Sequence, residues 1–566
     1  MLCARRIVVL CGFALLVWAA LVAAKGVDEA RIRAIIANMT LLDKARQLDL
    51  YSGNDIVTTG QLDWDRIERA WSLGAGGAVH DFYPHTAKEI NLLQQWAKQK
   101  SRLGIPFLFI EECLHVFPQS NAMGATWDTD LVHRVGQAIA AEARAYGIGF
   151  CLAPVLGIGY EPRWGRIEEL YGEDTYHVSR LGVAMVSGLQ GGTDPHTSLA
   201  TNHTVVAEPK HYAGHSIPES GLNTAPAHLG PRDLETLLTL NGQVLVDTFA
   251  NPNSTRNVPF TFAAGAKYAV VLEFVRPNEG SYMCLQWSLI GGTQVGQNLA
   301  VKAAAAADII IAVVGEDTRT CGETFDRPTL DLPGSQQELL EAIRAAAPNK
   351  PFIAVLLHGR PLSVNWLNDN ADAIITGFYP GQAQGQAIAD VLFGDYNPAG
   401  RIPVTFPQSS GQLPMFYNYK PSARKNQTAI YADGTSSTPL YHFGHGLSYT
   451  QFAYSNLAIS PIVILPSTVM TITLNVENVG KMAGEEMYVR DEVSSVTTPL
   501  RSLKGFQRVG LQPGQSTTVT FSLDVTKDLV IYNRQFKWVV EPGQFTVMVG
   551  SSSNDIRLTT TFPVLF

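Results

Sequence analysis

The sequence predicts a multidomain α/β protein that ends in an all-β module, and three observations carry the prediction. Two separate stretches alternate short apolar runs with helical patterns, and the final stretch alternates apolar and polar residues with turn residues between the runs. At 566 residues of ordinary globular composition, the chain is several times the size of one domain. The net charge of −8 is spread along the chain with no long basic run, which argues against nucleic acid or anionic lipid as a partner and suits a neutral substrate.

Arg5 and Arg6 precede an apolar run over 7–24 that ends in small residues, the layout of a secretory signal peptide at 1–24. No later stretch reads as a membrane helix, so no stable membrane insertion is expected after cleavage. The expected destination is extracellular, with lysosome or vacuole as the alternative. Beyond the signal, Cys113, Cys151, Cys284 and Cys321 are too few and too scattered for a disulfide scaffold or a CxxC metal site, and no metal is expected. Sequons begin at Asn38, Asn202, Asn253 and Asn426, which suits a glycoprotein.

Over 27–238, PFLFI (106–110), FCLAPVL (150–156) and TVVAEPK (204–210) alternate with helical patterns such as the one at 130–147. Several runs end directly in polar or charged residues, as at the active face of a TIM-like (β/α) barrel. The stretch is shorter than eight such units need, so the barrel is expected to be incomplete. Residues 240–288 read as a small β module, 296–446 as a doubly wound α/β sandwich domain, and 451–566 as a β-sandwich of the fibronectin III kind with a structural role.

Seven strings are then met in order: GIPFLFIEECLH, APVLGIGYEPRWGRIEELYGED, KHYAGHS, NTAPAHL, VVGEDTRTCGETFDRPTLDLPGSQQELL, GFYPGQAQGQAIADVLFGDYNPAGRIPVTFP and YHFGHGLSY. Together they resemble the signatures of glycoside hydrolase family 3, of the β-glucosidase/β-xylosidase type. The small β module resembles the PA14 domain that some members insert, and the final sandwich resembles the family's fibronectin-like domain. The spelling of EEC, GHSIPESGLNTAPAHL and GETFDR is closer to the β-xylosidase/α-arabinofuranosidase branch.

The resemblance implies an exo-acting, retaining β-glycosidase that releases terminal β-linked glucose or xylose from oligosaccharides or glycosides. Such chemistry uses two carboxyl groups about 5 Å apart and no cofactor. Glu323, just before DRPTLDLP, matches the family's general acid/base, on a Gly-bearing loop that would lower it, partly buried, over the barrel mouth; Glu316 is its nearest rival. Glu112, Arg166, Lys210 and His211 match residues that grip sugar hydroxyls, work suited to charged and bidentate groups. Other readings compete: Arg166 bridging Glu168 or Glu169 structurally, and His211 as a satisfied core histidine.

The nucleophile is expected in an SDW- or SDY-like tripeptide, and no SD pair occurs in the chain. AHLGPRDLETLL runs within a few residues into the β module, and neither Asp233 nor Asp247 ends a recognisable strand. A smaller gap follows His115. A segment carrying the last barrel strands and the nucleophile is therefore expected to be missing. A noncatalytic carbohydrate-binding pseudoenzyme is the main alternative. A structural, polymer-binding protein and a β-N-acetylhexosaminidase rank below it, the last because KHYAGHS lacks that enzyme's Pro and Asp context.

Overall fold

The computed structural model describes residues 29–565 apart from 72–76, 83–85, 114–116, 193–198, 200, 230–291, 421–429, 432–433 and 482–497. The expected signal peptide, the β module at 240–288, Asp233, Asp247 and His115 lie outside the described residues. Among the described residues, no helix is long and apolar enough to cross a membrane.

The first region is built on a parallel sheet of strands β1 (Leu50–Ser52), β2 (Ala78–His80), β3 (Leu108–Glu111), β4 (Phe150–Cys151) and β5 (Val206–Ala207). Spatial order equals chain order, with Leu50 beside Ala78, Ala78 beside Leu108, Ile110 beside Phe150, and Phe150 beside Val206. Each crossover carries a helix, including α1 (Ala87–Lys100), α2 (Thr129–Tyr146) and α3 (Thr175–Gln190). Helix α2 starts where the Asp128 side chain accepts from Leu131 N, and it stops at Gly147, whose φ of +97° favours a residue without Cβ. Its Val132, Val135 and Ile139 pack with Val178, Leu181 and Met185 of α3.

The strands are shorter than the apolar runs that announce them. FCLAPVL contributes Phe150 and Cys151 to the ladder, TVVAEPK Val206 and Ala207, and beyond them Val155 and Lys210 meet in a single isolated bridge. Pro154 and Pro209 have no N–H to give to a ladder. The chain beyond β4 turns toward the segment after β5 instead, and Leu156 N donates to the Lys210 carbonyl. A disulfide joins Cys113, just past β3, to Cys151 at the end of β4, a pairing that the scattered spacing did not foretell.

The second region holds parallel strands β6 (Ile310–Gly315), β7 (Phe352–Leu357) and β8 (Ala373–Phe378), with β7 central. Helix α4 (Gln336–Ala346) sends Leu340 and Ile343 into a core with Phe352, Ala354 and Leu356. The third region is antiparallel: β9 (Phe452–Ser460), β10 (Val469–Asn478) and β11 (Ser516–Asp524) form one sheet, β12 (Gly543–Gly550) and β13 (Ile556–Val564) another. In β10, Met470, Ile472, Leu474 and Val476 are fully buried while Val469, Thr471 and Glu477 face out, the period of two that the sequence announces.

Buried polar contacts clamp the regions together. Glu173 accepts from Thr405 N and Oγ1, each at 2.7 Å, and from Tyr417 N at 2.9 Å. The Tyr417 hydroxyl donates to Asp174 at 2.6 Å and accepts from Leu503 N at 2.9 Å, touching all three regions at one point.

Candidate active site

The candidate residues converge at the C-terminal ends of the first sheet. Glu112 follows β3, and its Oε2 accepts from Lys210 Nζ at 2.6 Å, so the ends of β3 and β5 are tied by an ion pair. Arg166 lies in a 3-10 turn, Gly165–Glu169, after β4. Its guanidinium meets Glu169 through two bonds of 2.7 Å and sends Nη1 to Glu323 Oε1 at 3.0 Å. Arg166 therefore makes the bridge to Glu169 and also reaches Glu323, so the structural reading of this residue does not displace the other.

Glu323 arrives from the second region on the loop after β6. Three bonds dock that loop on the 163–165 segment: Gly322 N and Cys321 Sγ to the Gly165 carbonyl, at 3.1 and 3.2 Å, and Arg327 N to the Arg163 carbonyl at 3.0 Å. Asp326 completes the joint, accepting from Gly165 N at 2.8 Å and Asn223 N at 2.6 Å. A Cβ on Gly165 would run into the Gly322 carbonyl oxygen, so glycine is required for the approach. The expected burial of Glu323 is not found: its side chain is 60% exposed, because the Arg166 contact holds it at the surface of the joint.

Glu316, seven residues earlier, is elsewhere. Its side chain is fully buried, paired with Arg360 and, at 3.0 Å, with Arg327. It also accepts from Gly359 N and Arg360 N. Every lone-pair direction is taken up within the loop's base, so it is an anchor with no face toward a substrate.

His211 stacks on His215 with ring centroids 4.2 Å apart, and Trp164 meets His215 edge-on at 5.1 Å. Burial, with His215, Arg166 and Lys210 nearby, holds His211 down to about 3, so the ring is neutral at ordinary pH. His211 is partly buried and lines a cavity of about 190 Å³ together with Lys210, His215, Ser216 and Trp164. Burial pushes Glu111 up to about 7; one carboxylate oxygen accepts from Phe82 N at 2.7 Å and the other has no partner among the described residues. Sequence reasoning named Glu169 only as a structural partner of Arg166 and missed Glu111, His215 and Asp326. The seven strings contain all four, but only tertiary contact gives them roles. Among the described residues no group of three or more His, Cys, Asp or Glu side chains is placed to hold a metal ion.

Comparison with known proteins follows the same lines. The profile of the glycosyl hydrolase family 3 C-terminal domain matches residues 87–449, and that of a fibronectin type III-like domain matches 486–553. A "Beta-xylosidase" of Formosa agariphila is 29% identical over 670 aligned positions, covering 82% of this chain and 92% of that protein. A "Periplasmic beta-glucosidase" of Salmonella typhimurium is 26% identical, covering 94% and 95%. Among solved structures, a b-glucosidase from Erythrobacter marinus superposes with a TM-score of 0.81 at 25% identity, covering 94% of this chain and 98% of that one. With the family's profile spanning most of the chain, and relatives of the β-xylosidase and β-glucosidase kind matching it nearly end to end, the chain belongs to glycoside hydrolase family 3.

Proposed function

We propose that this glycosyl hydrolase carries the sugar-gripping residues and the proton donor of an exo-acting, retaining β-glycosidase for terminal β-linked glucose or xylose, and that the chain in this form lacks the nucleophile. The observation that carries the reading is the 3.0 Å contact between Arg166 and Glu323. It brings a carboxyl group from the second region to a guanidinium flanked by Lys210, His211 and Glu112. Glu323 is the general acid/base, placed to protonate a departing glycosidic oxygen. Arg166, Lys210, Glu112 and neutral His211 offer the donors and acceptors that hold the hydroxyls of one terminal ring. Glu169 and Asp326 are positioning residues, the first orienting Arg166 and the second docking the loop.

A retaining mechanism requires a second carboxylate on the opposite face of the sugar. The sequence has no SD pair, and the alignment with the Formosa protein, at 670 positions, is longer than this whole 566-residue chain, so relatives carry residues with no counterpart here. Both facts support a missing internal segment, and five strands paired in chain order fit a β/α barrel short of its last units. The same reading divides the chain at 27–238, 240–288 (a PA14-like remnant), 296–446 and 451–566. It places residues 1–24 as a signal peptide on a secreted glycoprotein. The absent nucleophile also supports a second reading, a noncatalytic carbohydrate-binding protein built on the same grip.

Aryl β-glucosides and β-xylosides, with and without sodium azide, separate these readings. Azide is expected to restore release of the phenol: it attacks the anomeric carbon, Glu323 gives its proton to the leaving oxygen, and an α-glycosyl azide forms. Hydrolysis at full rate without azide would overturn the missing nucleophile. Monosaccharide binding with no release under either condition favours the noncatalytic reading, and absence of both binding and release defeats the proposal.

A further inference from the structure

A second cavity, of about 390 Å³, opens where the C-terminal part of the second region meets the fibronectin-like module, and among the described residues it shares no lining residue with the cavity at Lys210 and His211. Its walls are fixed. Phe416 stacks on Tyr160 at 4.1 Å, and Tyr417, bonded at its hydroxyl to Asp174, stacks on Phe443 at 4.3 Å. Tyr419 and Tyr431 stand toward solvent, 39% and 45% exposed. Arg501, Ser553 and Asn554 supply polar groups, and no carboxylate is among the described lining residues.

Ser553 lines one wall. The residue is 4% exposed, its N–H donates to the Phe443 carbonyl, and its hydroxyl, out of reach of solvent, has no hydrogen-bond partner among the described residues. Aromatic rings interleaved with hydroxyl, amide and guanidinium groups suit a molecule with apolar faces and a polar rim. A sugar ring has that shape: its C–H faces lie on aromatic rings and its hydroxyls point outward. The volume is that of a small-ligand site.

We propose that this cavity is a noncatalytic carbohydrate site that takes one or two neutral sugar rings of an oligosaccharide. Tyr419 and Tyr431 meet the ring faces, and Asn554 and Arg501 bond to hydroxyls. The site would hold a polymeric or branched substrate at a point separate from the Arg166 cluster, raising its local concentration there.

Calorimetry on the full chain with xylotetraose and cellotetraose tests the proposal, with Lys210→Ala used to weaken the strand-end site. In the Lys210→Ala chain, binding of one equivalent is expected to persist. Adding Tyr431→Ala and Asn554→Ala is expected to weaken it by about tenfold. Both residues are exposed, so the melting temperature is expected to stay unchanged. A second variant guards against a purely structural effect: Tyr431→Phe keeps the ring face, so the affinity that Tyr431→Ala loses is expected to be kept. Binding that vanishes with Lys210→Ala alone, or that ignores Tyr431→Ala with Asn554→Ala, overturns the proposal. Failure of the strand-end reading shows separately, as no response to Lys210→Ala in the chain with Tyr431→Ala and Asn554→Ala.

Discussion

The base and the tip of one loop carry carboxylates seven residues apart, and their surroundings give them opposite capacities. At the base, Glu316 is fully buried and accepts from two guanidiniums and two backbone N–H groups. At the tip, Glu323 is 60% exposed and meets one guanidinium. A carboxylate with every lone pair engaged inside the fold is part of the scaffold, whereas one held by a single partner at a surface can exchange protons with a substrate. Sequence spacing offered both as candidates; the count of donors around each decides between them.

The largest effect that would break this contrast is on stability. Glu316→Ala leaves the buried Arg360 guanidinium without its carboxylate, and a loss of about 3–5 kcal/mol is expected. Glu323→Gln removes an exposed contact and is expected to change stability by no more than about 1 kcal/mol. Urea unfolding of the two variants measures both, and equal losses would dissolve the distinction between the anchor and the proposed proton donor. Activity is expected to run the other way. Azide-supported release from an aryl glycoside with a poor leaving group should fall by about 10²–10⁴-fold in Glu323→Gln, the usual weight of a general acid.

What was legible in the sequence follows from the range of the interaction involved. The alternation in β10 is local, and its buried residues could be named from VMTITLNVENVG alone. Helix α2 ends within a residue or two of where its pattern stops, because Asp128 and Gly147 cap it. Lys210, Arg166, Glu112 and Glu323 could be named because short strings carry them, and the ion pairs gather them at one joint. The partners could not be named. That Asp326 bonds to Gly165 N and Asn223 N, or that Cys113 pairs with Cys151, depends on chain segments that meet only after folding. Strand lengths were overread for the same reason, since an apolar run says that a segment is buried and not that it is paired.

The joint itself offers a middle-sized test. Gly165→Ala drives a Cβ into the Gly322 carbonyl and forces the Glu323 loop away from Arg166. Overpacking of this kind costs about 1–3 kcal/mol, between the two carboxylate variants. Because the loop moves as a body, azide-supported turnover is expected to fall although every charged group is intact. Turnover that survives Gly165→Ala would mean that Glu323 does not work from the position Arg166 gives it.

The smallest expected effect is on the pH dependence of stability, and it separates the buried framework from the exposed site. Glu173 is pushed up to about 7 by burial, against the hydrogen bonds from Thr405 and Tyr417, from an ordinary value of 4.5. The unfolded chain therefore loses this proton first, and stability falls as pH rises from about 4.5 through 7. His177, fully buried, is held by burial down to about 3 from an ordinary 6.5. Here the unfolded chain gains the proton first, so stability falls as pH drops from about 6.5 toward 3. Glu111 and Glu168, both pushed to about 7, add to the first trend, and His211, held at about 3, adds to the second. The two slopes oppose each other between about 4.5 and 6.5, so the urea midpoint is expected to change little there, to fall below pH 4.5, and to fall a little further between about 6.5 and 7. Glu173→Gln should remove part of the decline that runs up to about pH 7. A midpoint that climbs steadily from pH 6.5 to 8 would mean that the buried carboxyls ionise without penalty, and that burial does not set the anchors apart from the proton donor.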